Sequence, residues 1–256
     1  MNNTFNLSRF GKLFIKHTVE HYKSYLMSLT VLIGVMILGG SFLVYMMDAP
    51  IDRGFQSAIF VMILLLAGTI FTSTIFADFG DKKKAVASLT LPASHFEKYL
   101  VAWLYSYLLF VIVYTAGFYL VTLFAVNIKH FPGHPGELIN IFQKPLIEMF
   151  LLYAFLHSVA FLGAIFFETL HFIKTAFLFF IFLAILIVFN RILLGTLLGR
   201  KVEVTIPFGN LRFIDNGYTT DINITQQQYS YLLIFITALA VIFWVAAYYR
   251  LKEKQV

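Results

Sequence analysis

Six apolar stretches run through this chain, at residues 26–47, 57–76, 99–126, 146–167, 175–194 and 229–249, and none carries an Asp or Glu at its centre. A helix needs about 20 mostly apolar residues to cross roughly 30 Å of hydrocarbon. Each stretch meets that length, so the expected fold is an all-α integral membrane protein with six transmembrane helices. All 13 acidic residues lie outside the cores or at their ends, and Glu148, one turn into the fourth span, comes nearest. Ion-coupled carriers keep an intramembrane carboxylate as a proton or cation relay. Its absence counts against a self-powered carrier and points to an external source of energy.

The spans take up about half of the 256 residues, which leaves no room for a separate soluble catalytic domain. Only 12% of the chain is charged, about half the usual share for a soluble domain. With no Cys, disulfides and thiolate metal sites are excluded. The net charge of +6 fits basic residues held at an inner membrane face better than it fits a nucleic-acid partner, and none is expected. With the N-terminus inside, the inner segments carry 12 of the 19 Lys and Arg. That bias predicts both termini in the cytoplasm. Residues 1–25 hold no clean apolar run ahead of a small-residue cleavage site, so no signal peptide is expected.

The arm at residues 6–25 is amphipathic. Leu7, Phe10, Phe14, Tyr22 and Tyr25 form one helical stripe with Thr18 as a polar gap, and Arg9, Lys12, Lys16, Glu20 and Lys23 form a second. Such a helix is expected to lie in the interface, its apolar face in lipid and its cations near headgroups. It is either a plain anchor or a connecting helix that also touches a cytosolic partner.

The loop after the second span carries Lys82, Lys83 and Lys84. Ser94 followed by Glu97 is a capping box, which predicts that the third helix starts at Ser94, with Pro92 separating it from what precedes. Residues 81–91 leave room for a short cytoplasmic helix, either a solvated basic patch or a docking segment for a soluble partner. The last outer segment, 195–228, has an alternating stretch from Lys201 to Ile206 and a turn-like Asp215-Asn216-Gly217. Short helices or a strand pair are expected there, capping the outer mouth.

Several residues could carry chemistry. His17-Thr-Val-Glu20-His21 matches the H-x-x-E-H zinc-protease pattern, but it lies in a basic helix without a third ligand, and Glu20 is better placed to pair with Lys16 and Lys23. His130, His134 and Glu137 have a spacing a metal can use, in a Pro/Gly loop where a turn is the simpler account. Glu168 and His171 form half of a di-iron pattern without its second copy. No metal is expected. His157, mid-way along the fourth span, and Thr69, Thr72 and Ser73, on one face of the second, are candidate pathway residues. Helix-to-helix hydrogen bonding is the competing reading for all four. No phosphate-binding loop, nucleophile elbow or dinucleotide fingerprint occurs, so the chain is not expected to be an enzyme or to bind ATP itself.

The layout resembles the permease subunit of type-2 ABC exporters. Leu89-Thr-Leu-Pro92-Ala-Ser94 with Glu97-Lys98 is similar to an L-x-L-P-x-S-x-x-E-K stretch of such permeases, notably from Bacteroidetes-like bacteria. The resemblance covers the whole chain in layout and about 20 residues in detail. It implies a half-transporter in a bacterial cytoplasmic membrane, working with a second permease copy and a cytosolic ATPase that binds the ATP. It implies that Asp81, Lys82, Lys83, Lys84 and Leu91 belong to a coupling segment. Residues 7–25, with Arg9, Lys12, Lys16 and Glu20, would be the connecting helix. A non-transporting sensor or assembly subunit and an intramembrane enzyme stay open as alternatives.

Overall fold

The computed structural model describes residues 5–47, 51–75, 93–128, 137–199, 201–203, 206–215 and 218–253. Among them are six helices long and apolar enough to cross a membrane. They are α1 (Leu7–Met46), α2 (Arg53–Ile75), a third rod, α5 (Lys144–Phe166), α6 (His171–Leu198) and α7 (Gln226–Glu253). The third rod is composite. It begins as α3 (His95–Trp103), passes through a π-helical segment (Leu104–Leu109) and continues as α4 (Phe110–Ile128).

The arm and the first span are one helix. No proline interrupts residues 7–46, and the hydroxyls of Thr18 and Thr30 bond back to Phe14 O and Leu26 O, so their polar groups are met inside the helix. Forty residues at 1.5 Å each give about 60 Å, twice the hydrocarbon thickness. Helix α1 runs parallel to the third rod: Arg9 meets Glu97, Thr18 meets Tyr105, Ile33 stands against Gly117 and Gly40 against Val121.

The expected apolar stripe of the arm is split by this packing. Phe10, Phe14 and Tyr25 turn onto the bundle, while Leu7 and Tyr22 stay exposed. A different apolar line, Ile15, Val19, Tyr22 and Leu26, faces outward beside the exposed Lys12, Lys16 and Lys23. A one-residue step on a helix is about 100°, enough to carry Ile15 away from the face that holds Phe14.

Two apolar clusters form the core. One gathers Ile75, Tyr99, Val101, Tyr105, Phe161, Ile165, Ala247 and Leu251, with Phe10 and Phe14 of the arm against it. The other gathers Met36, Phe60, Leu64, Phe110, Tyr114, Phe118, Leu146 and Tyr153. Helix α6 buries no residue, but it closes on α5 at Gly163, where an added Cβ would come within 2.6 Å of Thr175 Cγ2. The turn between them places Leu170 in the left-handed region, at φ 53°. At the opposite end of the bundle the Tyr229 hydroxyl donates to Glu148 Oε2 at 2.7 Å, joining α7 to α5.

The described residues between α6 and α7 form three antiparallel strands in order, β1 (Lys201–Val202), β2 (Leu211–Asp215) and β3 (Tyr218–Ile222). Arg212 and Asp221 are cross-strand partners, bonded at 2.6 and 3.1 Å. Val202 pairs with Phe213, and both are buried. The third strand goes beyond the expected pair.

Candidate functional site

Among the described residues, two polar constellations in this apolar bundle gather the candidate side chains Arg9 and His157. The first is a clamp at the start of the third rod. Ser94 caps α3: its hydroxyl accepts from Glu97 N at 3.2 Å, and the Glu97 side chain accepts from Ser94 N at 2.9 Å. This is the predicted capping box. Tertiary packing adds a second task for the same carboxylate. It accepts from Arg9 Nη2 at 2.8 Å, from Arg9 Nε at 3.0 Å and from Asn6 N at 2.8 Å. Glu97 is fully covered, whereas the Arg9 side chain keeps a third of its surface in contact with solvent. The guanidinium of Arg9 holds the Glu97 carboxyl down at about 2, helped by the Asn6 and Ser94 amides and opposed by burial.

The second constellation lies where the π-helical segment meets α5 and α7. His157 is fully buried. Its Nδ1 accepts from Trp244 Nε1 at 3.0 Å, and its Nε2 lies 2.9 Å from Ser106 Oγ. An indole nitrogen only donates, so Nδ1 carries no proton and Nε2–H donates to Ser106. The Ser106 hydroxyl in turn donates to Ala102 O at 2.8 Å. The result is a directed chain, Trp244 to His157 to Ser106 to Ala102, which joins three spans with every donor used and no net charge.

Tyr153 completes the junction. Its hydroxyl donates to Ser106 O at 3.3 Å, and its ring lies parallel to that of Tyr107, at 5.7 Å. Gly68 of α2 makes room for it: a Cβ there would fall 2.7 Å from the Tyr153 hydroxyl and 2.8 Å from Cζ. Thr72, one turn further along, is buried and bonds to Gly68 O at 2.7 Å.

Of the candidate pathway residues, His157 and Thr72 therefore border one junction. Thr69 and Ser73, like Thr72, bond back to their own helix, at Leu65 O and Thr69 O. In the arm, Arg9 leaves the charged stripe for Glu97, while Lys12, Lys16 and Glu20 remain exposed, Lys16 pairing with Glu20 at 3.6 Å. His17 Nε2 sits 2.6 Å from the Tyr25 hydroxyl, and the His17 and His21 rings lie 4.5 Å apart. Glu137 pairs with Arg53 at 3.0 Å. Asp81, Lys82, Lys83, Lys84, Leu91, His130 and His134 lie outside the described residues.

Ser106, Tyr153, Trp244 and the second task of Glu97 went unseen in the sequence. Gly68 and Ser106, small residues inside long apolar runs, are the signals that mark close approach in a span. No family model, no curated protein and no solved structure matches this chain.

Proposed function

We propose that this chain is the membrane-spanning subunit of an ATP-driven transporter of the type-2 ABC exporter kind, in a bacterial cytoplasmic membrane with both termini inside. It pairs with a second permease copy and with a separate cytosolic ATPase, which binds the ATP. The observation that supports the reading is the Arg9–Glu97 clamp. The segment 81–91 is covalently continuous with Ser94, and Glu97, three residues on, is tied to α1. A push on that segment therefore reaches the first and third spans together, which is what a coupling loop requires. Lys12, Lys16 and Lys23 are exposed on the arm, and such cations suit a face that meets anionic lipid. The directed chain through His157 favours a structural role for that residue over a place in the pathway.

The test is a mild-detergent purification of the tagged chain from its own host, with mass spectrometry and an ATPase assay of the eluate. A stoichiometric partner with a phosphate-binding loop and vanadate-sensitive turnover supports the reading. A clean preparation with no ATPase overturns it.

A further inference from the structure

The six π-helical residues Leu104–Leu109 stand between the two apolar clusters of the core. Tyr99, Val101, Ala102 and Tyr105 belong to one cluster, and Phe110, Tyr114 and Phe118 to the other. A π-helical stretch is in effect one extra residue within an α-helix, and it is commonly placed at a functional site. The hydrogen bonding here shows what holds it. The Phe110 N–H, which in an α-helix would bond Ser106 O, bonds Tyr107 O instead. Tyr153 donates to Ser106 O, and the Ser106 hydroxyl takes Ala102 O. His157, oriented by Trp244, donates to that hydroxyl. Tyr153 of α5 thus occupies Ser106 O, and the Ser106 hydroxyl, held by His157, occupies Ala102 O, the two carbonyls that an α-helical register would reclaim.

We propose that Leu104–Leu109 is a two-state joint, held in the π form by the Trp244–His157–Ser106 chain, and that its return to α register turns α3 against α4. Removing one residue from the winding rotates one part relative to the other by about 100° and shifts it by about 1.5 Å. On a helix of 5–6 Å radius that carries a side-chain tip through roughly 8 Å. The part that turns bears Glu97, so the joint decides whether motion at the arm reaches the outer half of the third rod or is absorbed below it. The inference concerns the chain alone and does not depend on an ATPase partner.

The chain contains no Cys, so paired spin labels can be placed without removing native residues. One pair joins Phe96→Cys on α3 to Ile173→Cys on α6. A control pair joins Leu120→Cys on α4 to the same α6 position. All three positions are exposed. Distances are read by pulsed electron spin resonance in lipid nanodiscs. In the Ser106→Ala background the 96–173 pair should gain a second distance, shifted by several ångströms and holding at least about a tenth of the molecules, while the 120–173 pair stays unchanged. Deletion of Leu108, which removes the extra residue, should show that second distance alone. A single, unshifted 96–173 distance in both Ser106→Ala and His157→Phe overturns the proposal. So does a folded Leu108 deletion with the wild-type distance. If the deletion does not fold, the two substitutions still decide.

Discussion

The guanidinium of Arg9 lies across the carboxylate of Glu97, 88 residues away in the chain, donating from Nη2 at 2.8 Å and from Nε at 3.0 Å. Because the carboxylate is sealed and the guanidinium is part-solvated, the two ends of this pair are not equivalent. Losing Arg9 strands a buried carboxylate. Losing the Glu97 charge leaves a cation that water can still reach.

That asymmetry gives a stability prediction. Arg9→Ala should destabilise the detergent-solubilised chain, because it strands the covered Glu97 carboxylate without its cation. Glu97→Gln should cost less, because Arg9 stays hydrated. Thermal unfolding at neutral pH compares them, and a larger loss in Glu97→Gln would contradict this account.

A pH dependence follows from the same carboxyl. Its ordinary value is 4.5 and its folded value is about 2, so the unfolded chain takes up the proton first as pH falls. The stabilisation from Glu97 is complete above about 4.5 and declines from there down through about 2. Melting temperatures from pH 6 to about 2 should fall more steeply in the wild type than in Glu97→Gln.

At the buried junction, geometry distinguishes two substitutions of His157. The amide of His157→Gln can donate to Ser106 and accept from Trp244, so the loss should stay below about 1 kcal/mol. His157→Leu leaves the indole N–H without its acceptor and should cost ~2 kcal/mol. Equal melting temperatures for the two variants would show that the hydrogen-bond chain contributes little.

Gly68→Ala should destabilise by ~1–3 kcal/mol, because the new Cβ falls on the Tyr153 ring. Tyr153→Phe should not relieve it, since ring carbons clash as well as the hydroxyl. Tyr153→Leu should relieve part of it, which appears as a favourable coupling in a double-mutant cycle of thermal stabilities.

At the end of the bundle away from the Arg9–Glu97 clamp, Gln56 is buried and donates to Ile51 O and Glu137 O, at 3.0 and 2.7 Å, while accepting from Ile139 N at 3.1 Å. Gln56→Leu should release the segment that precedes α5. Hydrogen exchange at the Ile139 amide should quicken by about tenfold or more, matching the loss of one well-formed buried bond.

The six apolar helices were legible in the sequence, since an uninterrupted run of about 20 apolar residues has few other uses. So was the start of the third rod, because a capping box is complete within four residues, from Ser94 to Glu97. The rest came from packing between distant segments. The arm joined the first span, and Phe10, Phe14 and Tyr25 turned inward, because α1 lies parallel to the third rod over most of its length. A helix that is apolar nearly all round carries no mark of which face will meet a neighbour. The pairing of Glu97 with Arg9, the partners of His157 and the π register around Ser106 all depend on groups brought together from distant parts of the chain, and local periodicity carries no record of them.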